Sequence, residues 1–377
     1  MRTPRAPVPP EHVAGVPISS GETGEAARSG GYRYSLVTGW RDRRSARPSA
    51  FAAGSAGRSL AAALLMLLLL PPACFAFAQA SAPGPACGAA AARTRAEAAE
   101  LVAGRIYGRE VSSPEVRRDK QQVERYEPLL SALAARNRAA VGEAVTSLVF
   151  SHTHVVRLRV SQGGSLLADV GGPLILAPVG GSLHLHGRTV GHYLLSVQDD
   201  SGYVKLESRY VGYPLLMRQG SRRLPVEGTF SPAAASIPDR GPVSWHGASY
   251  EAVSFAAHAY PSGPLTLTML VPAPGSSSSS CATIHLAELN RISQRIWNRF
   301  MQVGGPVSGF VSTTGSLVGA LTFVRAASHQ LAGSTRPGPP RLPAAGSVSY
   351  RGVIYRVFSF AASAGGTPVR VYGLVPA

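Results

Sequence analysis

The chain has 377 residues, of which 45% are hydrophobic, 7% aromatic and 15% charged, with 41 glycines and 30 prolines. That is enough for one large domain or two ordinary ones, and it excludes a mini-protein or an all-helical coiled coil. The formal net charge is +17, yet only Lys120 and Lys205 are lysines, and no stretch gathers the arginines into a basic stripe interleaved with aromatics, so nucleic acid is not the expected partner.

Residues 1–58 are rich in Pro, Gly, Ser and Arg, and lack a sustained apolar period. Such a segment buries too little surface to offset chain entropy, so it reads as a disordered or mis-annotated extension. Residues 59–80 follow Arg58 with the apolar block Leu60 to Leu70, then Pro71-Pro72 and small residues to Ala80. A basic flank, a short apolar core and an A-x-A-like site form a secretory signal, so the expected location is secreted or extracytoplasmic. An uncleaved segment would instead anchor the protein to a membrane. Beyond the signal remain Cys87 and Cys281. An even count in an oxidising compartment favours a disulfide, which closes so long a loop that the chain-entropy model gives about 5 kcal/mol. Two separate thiols are the alternative.

From Arg95 to Tyr107, Ala98, Leu101, Val102 and Ile106 recur at helical steps. A second helical stretch runs over 113–150, with Pro114 suited to its first turn and Pro128 expected to kink or split it. Period two then takes over. Val156, Leu158 and Val160 alternate with Val155, Arg157 and Arg159, and Gln162-Gly163-Gly164 is a tight turn into 166–169. Further short strands are expected at 173–178, 190–197, 203–206, 214–217 and 224–230. An internal repeat follows: Val243 to Ala257, closing at Leu270-Val-Pro-Ala273, matches Val348 to Ala362, closing at Leu374-Val-Pro-Ala377. It extends backward, because Cys87 precedes Arg105-Ile106-Tyr107 as Cys281 precedes Arg295-Ile296-Trp297.

The expected fold is therefore α+β: long N-terminal helices leading into an antiparallel sheet over 81–275, a serine linker at 276–280, and a shorter helix and β-meander repeat over 281–377. The second copy either completes the first sheet or forms a small satellite.

The helical stretch 113–150 leading into His154-Val-Val-Arg-Leu-Arg-Val160, the Gly-Gly hairpin with Leu-Leu-Ala-Asp169, and Gly187-Arg-Thr-Val-Gly191 before Leu194-Leu-Ser-Val197 together resemble the extracytoplasmic Cache family of PAS-like sensor domains. Within it they are most similar to citrate- and dicarboxylate-sensor ectodomains. The resemblance covers about 113–230 and implies recognition of a small ligand, often a carboxylate or amino acid, between sheet and flanking loops. The chain departs from that family's usual context in showing no second membrane helix and no output segment after the sensor.

Three constellations are candidate sites. Asp199, Asp200, Tyr203 and Lys205 could orient a ligand or hold a hard cation, although Asp-Asp-Ser-Gly is also ordinary turn chemistry. Arg157 and Arg159 share one strand face, where guanidinium groups meet a carboxylate or solvent. His152, His154, His184, His186 and His192 crowd one region, and the two His-x-His pairs, chiefly His154, His184 and His186, could seat a metal if a third ligand converged. The G-x-S-x-G, H-E-x-x-H, P-loop and C-x-x-C patterns are all missing from the sequence. The expected function is an exported, sensor-like small-molecule-binding module with no enzymatic activity, no cofactor and no output domain of its own. It would take a small polar ligand and report to a membrane signalling partner. The alternatives are a structural or adhesive envelope protein, and a metal-binding protein or metal-dependent hydrolase using the histidines.

Overall fold

The computed structural model describes residues 86–151, 154–224, 237–273, 277–327 and 329–377. The expected N-terminal extension and signal segment lie outside the described residues. A short strand β1 (Ala86–Gly88) enters α1 (Ala91–Ser112). The 113–150 stretch forms three helices rather than one: α2 (Pro114–Glu124), α3 (Glu127–Ala134) and α4 (Arg138–Ser151). Each break has a local cause. The Ser113 side chain accepts from Val116 N and caps α2, Pro128 occupies the first turn of α3, and Arg136 takes a left-handed φ of 55° before Asn137 Oδ1 accepts from Ala140 N at the start of α4.

Strands β2 (Arg157–Gln162), β3 (Ser165–Gly171), β4 (Ile175–Leu176), β5 (Val179–Leu185), β6 (Arg188–Ser196) and β7 (Gln198–Asp199) follow. Gly163 and Gly164 both take positive φ in the β2–β3 turn, as a two-residue hairpin requires. Next come α5 (Asp200–Tyr210), β8 (Leu215–Gln219), β9 (Arg222–Arg223), β10 (Gly241–Trp245), β11 (Ala248–Tyr260) and β12 (Gly263–Pro272). The last part comprises β13 (Ser277–Ser280), α6 (Cys281–Gln302), α7 (Val307–Val318), β14 (Leu321–Ala326), β15 (His329–Gly333), β16 (Gly346–Tyr350), β17 (Val353–Ala364) and β18 (Thr367–Pro376).

All pairings are antiparallel. One sheet contains the run β9-β8-β12-β11-β10, and another reads β15-β14-β18-β17-β16. These two runs have the same strand order, so the repeat reaches further back than the meander, to the preceding strand pair and its helix. α5 stands to β8 as α7 stands to β14. The second copy is shorter because residues 113–199 are inserted in the first copy, between α1 and α5. The inserted sheet, β3-β2-β6-β5, packs its own core against α3 and α4 through Leu133, Val145, Leu148, Leu158, Val160 and Leu195.

The second copy neither completes the first sheet nor stands apart. Its own sheet shares the largest core, in which Val102 and Ile106 of α1, Ile292 and Ile296 of α6, and Phe310 of α7 join residues of both meanders. Two arginines cross between the copies. Arg105 on α1 donates to Leu317 O and lies over Gly319, the residue of φ 78° that ends α7; Arg295 on α6 donates to Ser208 O and lies over Gly212, of φ 79°, just past α5. Cys87 and Cys281 are bonded with their Cα atoms 4.7 Å apart, joining the starts of α1 and α6.

Three expectations change. Residues 203–206 lie in helix α5 instead of a strand, because the Asp199 side chain accepts from Gly202 N and caps the first turn. Ser277–Ser280 is not a bare linker. It pairs with β1, and Ser280 caps α6 by accepting from Thr283 N. Of the strand expected at 224–230, residues 225–230 lie outside the described residues. No described helix is long and apolar enough to cross a membrane.

Candidate functional site

Arg157 and Arg159, on one face of β2, meet a carboxylate inside the protein. Across the β2–β3 register, where Arg159 opposes Asp169, Arg157 Nε and Nη2 donate to the two oxygens of Asp169 at 2.7 Å, and Nη1 donates to Gly172 O and Pro173 O. Arg159 Nε stands 3.6 Å from the same carboxylate. Both guanidinium groups sit 4.5 Å from the Tyr260 ring at the end of β11, so the cluster ties the inserted sheet to the first repeat. The Arg157 fork holds the Asp169 carboxyl below its ordinary range.

The Asp199 constellation is divided by the helical period of α5. Asp199 is a cap, Lys205 is exposed, and Tyr203 is fully buried with its hydroxyl donating to Ala103 O. Burial pushes the Asp200 carboxyl up. One turn beyond Tyr203, Glu207 is fully buried, and burial pushes it up to about 8 against the opposing Arg295 and Arg291 charges. Glu110 on α1, 3.4 Å from Gln198 Nε2, is pushed up to about 7 by burial. Of these acids Glu207 is buried in the core, whereas Asp199, Asp200 and Glu110 are half-buried, so the four form no shared platform.

The His184–His186 pair does not lie along one strand. His152 lies outside the described residues and His154 precedes β2. His186 takes φ 50° in the β5–β6 turn, where it cannot share a strand face with His184, and His184 Nδ1 is 3.3 Å from Thr189 Oγ1. Among the described residues no three His, Cys, Asp or Glu side chains gather in a metal-holding group.

A polar cleft of about 520 Å³ forms at one end of the inserted sheet, within the size range of small-ligand sites. Its walls include Arg136 after α3, Gln162 and Gly163 at the β2 turn, and Thr189, Gly191 and His192 on β6. Gln162 Nε2 donates to Leu133 O at 3.0 Å and Val190 O at 2.7 Å, which pins α3 to β6 and leaves Oε1 as an acceptor. A Cβ at Gly191 would stand 3.0 Å from Ser161 O and 3.2 Å from Leu133 Cδ1, so glycine permits the close floor. His192 Nδ1 lies 3.2 Å from Ser182 Oγ. The lining holds one guanidinium, neutral donors and acceptors, and no carboxylate. That chemistry suits a small anion or zwitterion. The glycine turn and the Gly187 to Gly191 motif are visible in the sequence. Arg136 carried no signal, because only the left-handed exit from α3 brings it to the cleft.

No family model matches the chain, and no curated protein matches it. Among solved structures, the extracellular domain of histidine kinase vpHK1S-Z8 is 11% identical, with 48% of this chain and 92% of that one covered at a TM-score of 0.30. The periplasmic domain of Vibrio cholerae LuxQ is 9% identical over 76% of this chain and 98% of that one, at 0.15. The ligand binding domain of Mlp24 with asparagine is 9% identical over 75% and 95%, at 0.17. At these scores the likeness carries no argument about fold, ligand or site.

Proposed function

We propose that this protein is an exported, sensor-like binding module that takes a small carboxylate-bearing ligand, such as an amino acid, in the cleft of the inserted sheet. The observation that carries this reading is the lining: Arg136 is the one cation, Gln162 Oε1 and Thr189 are neutral acceptors, and no acid competes for the cation. Arg136 receives the carboxylate, and Gln162 and Thr189 accept from an ammonium. The Arg157–Asp169–Tyr260 cluster then connects the inserted sheet to the repeats, through which occupancy reaches a membrane partner. The module performs no chemistry of its own.

A thermal-shift screen of amino acids, dicarboxylates and divalent metals on the full chain tests this, since a ligand that binds only the folded state raises the midpoint by mass action. The expected result is a rise with a carboxylate compound that disappears in Arg136→Ala. A shift from metals alone, or no shift from any compound, would favour a metal-binding or a structural role instead.

A further inference from the structure

A second groove, of about 930 Å³, lies beside the disulfide in the second copy and is lined by the β13 serines, the first turns of α6, Gly346 and Ser347 of β16, and Arg356 of β17. Of the lining side chains only Arg356 is charged, and it makes no hydrogen bond or ion pair among the described residues.

β16 is the outermost strand of its sheet, so one row of its backbone donors and acceptors has no partner strand. Natural edges are blunted by charge, proline, bulges or shortness. The other described edges follow that rule. The pairings of β3, β5 and β15, and of β1 with β13, carry irregular registers, β7 and β9 are two residues long, and β10 contains Pro242. β16, Gly-Ser-Val-Ser-Tyr, pairs with β17 in unbroken register and has no charge and no proline. The repeat sharpens the contrast. Pro242 opposes Glu251 in the first copy as Ser347 opposes Arg356 in the second. A proline at that place costs its sheet no ladder bond, so the Ser347 N–H is one the second sheet does not need.

We propose that this groove docks an extended peptide segment of neutral or acidic character, which adds as a strand along β16 with Arg356 beside it. β-Strand addition draws affinity from backbone bonds and selectivity from alternate side chains, and the lone cation sets the charge preference. The site is separate from the cleft of the inserted sheet and does not depend on the reading given to that cleft.

The test is selection of a phage-displayed random heptapeptide library on the immobilised full chain, followed by fluorescence anisotropy of the enriched peptides. The expected peptides are rich in β-branched residues and carry no net positive charge. Their affinity falls at least about ten-fold in Ser347→Pro, which copies a residue the first repeat already accommodates, and in Arg356→Glu. Circular dichroism confirms that both variants fold. Failure of any peptide to enrich, enrichment of basic peptides, or undiminished binding by both variants would overturn the proposal. Self-association of the wild type that is lost in Ser347→Pro would overturn it in favour of pairing between two copies.

Discussion

Replacing Glu207 by Gln tests the reading of the buried acids most sharply. Glu207 is fully buried beneath α6 and its folded pKa is raised to about 8, against about 4.3 in an unfolded chain. Between those values the folded protein holds a proton that the unfolded chain has released, so stability falls as pH rises through that window and levels off above about 8. At about 1.4 kcal/mol per pH unit, ionising this side chain in place costs on the order of 4–5 kcal/mol. Glutamine keeps the shape and removes the charge. Urea unfolding of both proteins at pH 5, 7 and 9 isolates the effect, because the other titrating groups, Glu110 included, are common to both. The difference should move in favour of Glu207→Gln by several kcal/mol between pH 5 and pH 9. Parallel stability curves for the two proteins would refute the reasoning.

Asp169→Ala leaves the half-buried Arg157 without its two charge-assisted bonds while two backbone carbonyls still hold it, and should destabilise by about 2–3 kcal/mol in urea unfolding. The folded pKa of Asp169 is lowered, so this contribution is present at neutral pH and is lost as pH falls below about 4. Cys87→Ala with Cys281→Ala should cost up to about 5 kcal/mol under oxidising conditions and little under reducing ones. Phe310→Ala, in the core that both copies share, should cost about 3–5 kcal/mol and lower a single transition seen alike by fluorescence and circular dichroism; two separate transitions would show that the copies fold independently.

Much of the fold is legible where one local rule decides the structure. Gly163-Gly164 specifies its turn, the apolar steps of Ala98, Val102 and Ile106 specify α1, and the two meanders repeat residue by residue. Tyr203-Val-Lys-Leu206 misleads because its composition suits a strand. What settles it is Asp199, whose side chain caps a helix that buries Tyr203, Val204 and Glu207. The partner of Arg157 is implicit in the hairpin register that brings Asp169 across from β2, yet the sequence alone leaves open whether a guanidinium meets a neighbour or a ligand. The cleft is the least legible feature. It depends on α3 lying over β6, a contact fixed by Gln162 and Leu133 that no local pattern announces. The insertion of 113–199 is equally hidden, because it shows only once the sheets of the two copies are found to share one strand order.

The central claim concerns where the ligand sits. Thr189 is exposed and lines the cleft of the inserted sheet, so Thr189→Trp fills that cleft without touching the core. The decisive measurement is calorimetric titration of the wild type and of Thr189→Trp with the carboxylate compound that gives the largest thermal shift. Saturable one-site binding to the wild type and none to Thr189→Trp is the predicted result. Equal binding to both proteins would contradict the account.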